Sequence, residues 1–264
     1  MISSEKARNF VEGLPLEKPP QVTRSVKAAR GTRAAETEQP AVTFRNDGQA
    51  LAVGSQIAEF AENVPVKIRP AISNSILLAQ LAANKAVKDN AGTSAAWRES
   101  YRNVLLNTGW LFEGSSMGME EIKQDGLEVH KAIIPVLAAV LGPAVAAAAI
   151  VTTVLKGLQS MNEDAPWITL FNRESRRAKV SQFQIGYVQA PNAAAPKMST
   201  IFFELEVTKN VTQVLFFKFS GAKGSLFYSN TDLSLNSSLA GDLGDAVRKK
   251  VAAYASTFIQ EIQI

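Results

Sequence analysis

Apolar residues recur every three or four positions in two long stretches of the chain. The first stretch is RPAISNSILLAQLAANKAVK, and its apolar positions are Ile72, Ile76, Ala79, Ala83 and Val87. The second closes the sequence, with its apolar positions at Leu243, Val247, Val251, Tyr254 and Phe258. This spacing gathers apolar side chains on one face of a helix. We predict an amphipathic helix in each stretch.

Between these stretches the period changes from 3.6 to 2. Three segments alternate apolar and polar residues: VSQFQIGYV, STIFFELEV and TQVLFFKFS. Their apolar positions are Phe183, Ile185, Tyr187, Phe203, Leu205, Val207, Leu215, Phe217 and Phe219. Such alternation is typical of strands with one apolar and one more polar face. We predict an antiparallel meander of three strands, with GSLFYSNTDLSL as a fourth strand and Gln49–Phe60 as an earlier one.

One segment, Ala132–Leu155, contains no charged residue and is long enough to cross a bilayer, which takes about 20 residues. Gly142 and Pro143 fall near its middle, where proline breaks a helix. We therefore predict two helices that meet at this turn, from about Met119 to Leu141 and from Ala144 to about Leu158. A buried hairpin is the preferred interpretation. A hairpin that enters membranes after a trigger and a resident membrane anchor are the alternatives.

The order of these elements, helices before a sheet and a helix after it, indicates the fold class. We predict an α/β (α+β) fold, a single three-layer domain in which helical hairpins pack around a mainly antiparallel β-sheet. This domain would span 48–264. Residues 1–47 would form a flexible basic arm, because they are rich in proline and carry much of the net charge of +4.

The amino-acid composition argues against several kinds of functional site. The chain has no cysteine and a single histidine, His130, so we expect no disulfide, no thiolate metal site and no cysteine nucleophile. His130 is expected at the surface or a boundary, and Glu120 and Glu121 at a helix N-terminus. No GxSxG elbow and no phosphate loop occurs. We expect no enzyme and no metal. Because no aromatic residue is interleaved with the basic residues of VTRSVKAARGTRAAETEQP in the arm, we also expect no nucleic-acid partner.

Several segments together resemble the Cyt family of δ-endotoxin cytolysins and its relatives, which include the Erwinia virulence factor. They are AVLGPAVAAAAIVTTVL, NEDAPWITLFNRES, FQIGYVQ and FELEVTKNVTQVLFFKFS, with RPAISNSILLAQLAANKA similar to the family's first long helix. The resemblance covers roughly Leu51 to the last residue. Trp167, Phe203-Glu204-Leu205 and Gln213-Val214-Leu215-Phe216-Phe217 occupy the places of family core motifs.

The resemblance implies a soluble three-layer protein that is activated by removal of terminal segments and binds phospholipid directly. Sheet or helices would then rearrange to open pores or disrupt the bilayer. In the Erwinia relative a fatty acid is attached to a cysteine, which this chain lacks. Only a noncovalently bound fatty acid or lipid would remain as a cofactor. Trimming at Arg30 or Arg33 would release the arm.

These observations favour a membrane-active cytolysin or virulence factor. The expected partners are a phospholipid membrane and further copies of the chain on it. The nine alternating apolar residues of the three strands are the candidates to face lipid. Without a recognisable signal peptide, the protein would be secreted by another route or released, and would act on host cell membranes. The alternatives are a non-lytic module that binds fatty acid or lipid, and a structural or partner-binding protein that binds no lipid.

Overall fold

The computed structural model describes residues 3–19, 42–89, 93–122, 126–141, 166–176, 181–191, 195–206, 214 and 224–262. Within these ranges the chain forms one seven-stranded sheet. The strands are β1 (Gln49–Val53), β2 (Gln56–Phe60), β3 (Trp110–Ile122), β4 (Ser181–Gln189), β5 (Lys197–Glu206), β6 (Gly224–Leu235) and β7 (Ile259–Glu261). The helices are α1 (Ser4–Gly13), α2 (Arg69–Asp89), α3 (Ser94–Asn107), α4 (Val129–Leu141), α5 (Pro166–Ser175) and α6 (Ser237–Phe258).

The order of strands across the sheet is β3-β6-β5-β4-β2-β1-β7. Every neighbouring pair is antiparallel except β2 with β4, which is parallel. β4 and β5 pair as the first two strands of the predicted meander, and the strand that pairs next to β5 is β6, the predicted fourth strand. The third predicted strand, TQVLFFKFS, lies outside the described residues apart from Val214, which is buried.

The single strand predicted at Gln49–Phe60 is wrong, because β1 and β2 form a hairpin there. Gly54 makes the turn with φ +56°, a conformation that suits glycine. A Cβ at this position would also lie 2.4 Å from Gln80 Oε1. The turn was not predicted because apolar residues continue on both sides of it in the sequence.

Four helices cover one face of the sheet, which we call the front face: α1, α2, α3 and α6. The two predicted amphipathic helices are confirmed as α2 and α6, and their predicted stripes face this core. Arg69 fixes the start of α2. Its guanidinium is buried and donates hydrogen bonds to the carbonyls of Val64, Asp47 and Ala61 at 3.1, 2.8 and 3.0 Å. Burial lowers the pKa of this group.

The opposite face, which we call the back face, is covered within the described residues by α4 and α5. α4 packs on β5, and α5 packs on β1, β4 and β7. Helices on both faces of a mainly antiparallel sheet confirm the predicted α/β class with three layers.

The helix predicted from Met119 to Leu141 begins ten residues too early. β3 continues to Ile122, so Glu120 and Glu121 lie on a strand and not at a helix N-terminus. The helix starts at Val129 and continues through Pro135 to Leu141. β3 had no apolar alternation to reveal it, because much of this edge strand is exposed.

Part of the predicted flexible arm of residues 1–47 forms a helix, α1. Ser3 caps this helix by accepting a hydrogen bond from the backbone N–H of Lys6. Ala7 and Val11 are buried against the front-face core, and α1 packs on α6. Arg30 and Arg33, the predicted cleavage positions, lie outside the described residues.

Candidate functional site

The back face brings together five of the nine predicted lipid-facing residues. Phe183 and Ile185 of β4 and Phe203 and Leu205 of β5 are buried there in one cluster. Tyr187 follows on the same side of β4 and is also buried. The other four, Val207, Leu215, Phe217 and Phe219, lie outside the described residues. Whether any of the nine faces lipid stays a prediction.

Aromatic rings pack closely at the centre of the back face. Phe183 stacks on Phe203 with ring centroids 5.0 Å apart, and Phe171 of α5 meets Phe183 edge-on at 5.8 Å. The register explains this contact, since Phe183 and Phe203 are direct cross-strand partners. Offset stacking and edge contacts add to the stabilisation that burial provides.

α4 covers this aromatic cluster with one side and is apolar on its other side as well. Ile133, Val136 and Leu137 are buried against the sheet. The solvent side exposes Pro135, Ala138 and Ala139. No charged residue occurs from Ala132 to the end of the helix.

Charged groups gather only at the beginning of α4. Gly126, with φ +78°, turns the chain just before it. Lys131 Nζ lies 3.0 Å from a Glu128 carboxylate oxygen, and His130 Nε2 lies 3.5 Å from the same oxygen. The prediction of a surface or boundary histidine is wrong, because His130 is only 2% exposed. The helix therefore has one polar end and an otherwise apolar surface.

Glu59 is an unusual member of the back face. Its side chain is buried, and neither carboxylate oxygen has a hydrogen-bond partner within the described ranges. Burial raises its pKa to about 8. Tyr187, its cross-strand neighbour on β4, has a raised pKa because of burial and the nearby Glu59 charge. The signal was in the sequence, since QIAEF places Glu59 on the same strand face as Ile57.

A second apolar surface lies on the outer strands, where periodicity had predicted no candidate residue. Met117 and Met119 of β3 are 87% and 57% exposed, and Phe227 of β6 is 37% exposed. Met119 and Phe227 are cross-strand partners. β3 is an edge strand of the sheet, so this surface borders unpaired backbone groups among the elements described here.

Two features are absent from the part of the chain that the structure describes. No described helix combines the length and apolar character needed to cross a bilayer. In the same ranges no group of three acidic, histidine or cysteine side chains is placed to hold a metal ion. Gly142 and Pro143, the predicted hairpin turn, lie outside those ranges.

Comparison with known proteins gave structural likeness only. No family model matches the chain, and no curated protein matches it. Among solved structures, a delta-endotoxin aligns with a TM-score of 0.37 and 12% identity over 79% of this chain and 91% of its own. A structure of the Evf virulence factor aligns with a TM-score of 0.30 and 12% identity over 82% of this chain and 86% of its own. Likeness this distant does not bear on activity.

Proposed function

We propose that this chain is a membrane-active protein of the cytolysin or virulence-factor type, which binds phospholipid directly and perturbs bilayers. The observation that carries the proposal is α4. One side of it packs on the aromatic cluster, and the side that faces solvent presents Pro135, Ala138 and Ala139 without a charge. A helix that is apolar on all sides is normally enclosed by protein or by lipid. Lipid would satisfy the outer side of α4.

The proposed step is a transfer of α4 from the sheet to the bilayer. Pro135 lacks an N–H and costs a helix interior roughly 3 kcal/mol, so the internal hydrogen bonding of α4 is weak at this point. In water, departure of α4 would expose the rings of Phe183 and Phe203 at a cost of roughly 25 cal/mol per Å². At a membrane surface, acyl chains would cover both the helix and the rings.

Strands that followed α4 into lipid would need partners. An open edge leaves N–H and C=O groups without hydrogen bonds, at several kcal/mol for each group in hydrocarbon. β3 has 13 residues, more than the roughly 9–11 that cross a bilayer at a tilt. Pairing of β3 edges between copies would satisfy those groups, which is the self-association that this function requires.

Release of dye from sealed liposomes tests the proposal. Purified protein should release the dye, both as the full chain and after trypsin trimming near Arg30 and Arg33. Ala138→Glu should weaken liposome binding at least about tenfold, since a charge in the bilayer costs roughly 2.5–3.5 kcal/mol. Ala253→Glu is the matched control, because Ala253 is an exposed alanine on α6, away from α4.

The outcomes separate clearly. Liposomes that stay sealed with both full and trimmed protein would contradict the proposal. Equal loss of binding in both glutamate variants would show that α4 is not the contact. We also propose that the protein acts on host cell membranes after secretion or release. Fractionation of producing cultures would test whether the protein leaves the cell.

The second candidate, a non-lytic module that holds fatty acid between helices and sheet, has less support on the back face. The rings of Phe171, Phe183 and Phe203 fill the centre of that interface. An acyl chain there would have to displace them. Mass spectrometry of an organic extract from the purified protein, with no fatty acid found and liposomes opened, would exclude this candidate.

A further inference from the structure

A cavity of about 300 Å³ lies on the front face, between α3 and strands β3, β5 and β6. Its walls are largely apolar, formed by Tyr101, Leu105, Phe112, Met117, Phe202 and Leu233. Cavities of this size that combine apolar walls with a few polar groups are typical of small-molecule sites. The back face and α4 take no part in it.

Two buried polar side chains that line the cavity each have one atom without a hydrogen-bond partner among the residues described. Gln184 is fully buried and Thr200 is 6% exposed. Neither Gln184 Nε2 nor Thr200 Oγ1 has a partner among the residues described. Leaving such a group unpaired costs about 1–3 kcal/mol. The fold therefore keeps two hydrogen-bond donors at the wall of an apolar space.

A chain of hydrogen bonds holds the Gln184 amide in this orientation. The Ser55 hydroxyl lies 3.1 Å from Gln184 Oε1 and 3.1 Å from Gln80 Oε1. Gln80 Nε2 in turn donates to the Val53 carbonyl at 2.7 Å. Gln80 Oε1 already accepts the Ser55 backbone N–H at 2.9 Å, so the single hydroxyl proton of Ser55 is available for Gln184 Oε1. With the amide oxygen of Gln184 accepting that proton, its nitrogen is the atom left to donate elsewhere.

The rim of the cavity is electrically balanced. Arg98 lies over the Phe202 ring at 5.1 Å and pairs with Glu204 at 2.9 Å. Arg102 lies over the Phe112 ring at 4.4 Å. Glu99 also lines the cavity. Two cations and two carboxylates leave no net charge to select an ionic ligand.

We propose that this cavity binds a compact, uncharged apolar molecule with a carbonyl oxygen at its inner end, which accepts hydrogen bonds from Gln184 and Thr200. The apolar walls would hold the body of the molecule, and the carbonyl would satisfy the two donors. This site is separate from the membrane function proposed above, since it lies on the other face of the sheet and needs no bilayer.

Fluorescence titration with prodan, a naphthalene that carries a ketone, tests the site in lipid-free buffer. Prodan emission moves to shorter wavelength when the dye leaves water. We expect saturable binding of one prodan per chain with such a shift. Absence of saturable binding would overturn the proposal. Because the buffer holds no lipid, this result and the liposome result can fail independently.

Two neighbouring serines on β3 provide a matched pair of variants. Ser115 lines the cavity, whereas Ser116 points to the opposite side of the strand. Ser115→Trp should fill the cavity and abolish prodan binding, and Ser116→Trp should keep it. Equal prodan binding by the two variants would overturn the assignment. Far-UV circular dichroism shows whether each variant is folded.

Thr200→Val tests the inner hydrogen bond without a change of volume. Prodan affinity should fall about threefold to tenfold, the range expected for one neutral hydrogen bond. The free protein should be at least as stable as the parent, because the Thr200 hydroxyl has no partner to lose. Unchanged affinity would show that the hydroxyl does not contact the ligand and would contradict the proposal.

Discussion

On the front face two buried tryptophans each donate a hydrogen bond, Trp97 to Asn84 at 2.7 Å and Trp110 to Ser75 at 2.9 Å. On the back face the buried Trp167 has no partner for its indole N–H within the described residues, and neither has Glu59. Unpaired buried groups raise the free energy of the fold. The two front-layer tryptophans are therefore held by specific bonds as well as by packing, whereas Trp167 of the back layer is held by packing.

This contrast indicates where the molecule would change shape. Four helices hold the front face, and each is tied to another element of the same core. α4 packs on β5 through the apolar side chains of its inner side. Apolar packing has no fixed direction and is as favourable with lipid as with protein. We infer that the front layer stays in place while the back layer moves.

The largest expected effect on the free energy of unfolding comes from truncating one of two adjacent phenylalanines. Phe203 is fully buried on the back face, and Phe202 borders the front-face cavity. Phe203→Ala should lower the free energy of unfolding by about 3–5 kcal/mol, since it leaves a void in a packed cluster. Phe202→Ala should cost roughly half as much, because it only widens an existing space. Urea unfolding measures both, and a larger loss for Phe202→Ala would reverse the assignment of the tighter core.

An intermediate effect is expected from the Glu59 proton. An ordinary glutamate ionises near 4.5, whereas in the fold the pKa of Glu59 is about 8. The unfolded chain therefore loses this proton first, and the free energy of unfolding falls as pH rises from 4.5 to 8, by about 4 kcal/mol. Glu59→Gln, neutral at every pH, should remove this slope.

Urea unfolding at a series of pH values measures that slope. Glu62→Gln, at an exposed position close by, is the control and should retain the parent profile. A Glu59→Gln protein that still loses stability between pH 4.5 and pH 8 as the parent does would show that another group titrates.

The smallest expected effect is the difference between two tryptophan replacements. Trp97→Phe and Trp167→Phe remove the same atoms from buried sites, but only the first breaks a hydrogen bond. Trp97→Phe should therefore cost about 1 kcal/mol more in the free energy of unfolding. Thermal or urea unfolding of the pair gives this difference directly. An equal loss would remove the distinction between the two faces.

Sequence periodicity predicted the elements that bury a regular stripe. α2, α6, β4 and β5 each place apolar residues at the period of their own geometry, and the structure confirms them. β3 was missed because its middle, EGSSMGM, is exposed and so has no alternating apolar face. Its strand conformation comes from pairing with β6, which a local pattern does not show.

Only part of the functional surfaces could be predicted from the sequence. Alternation placed Phe183, Ile185, Phe203 and Leu205 on a common face, as the structure shows. Glu59 could have been found as the one carboxylate of a buried strand. The cavity beside α3 could not have been predicted from the sequence. Its lining residues Gln184 and Thr200 come close to Phe112 and Leu233 only when β3 and β6 join the sheet. His130 was misplaced because a polar residue on an apolar helix gives no sign of its depth.

The pairing of β1 with β2, β2 with β4 and β1 with β7 also has a consequence during synthesis on the ribosome. The hairpin emerges early, but both strands that flank it are translated in the last third of the chain. Until then its two free borders are open to other nascent chains, a situation in which chaperones are usually needed. Contacts this distant in sequence also predict slow folding once translation ends.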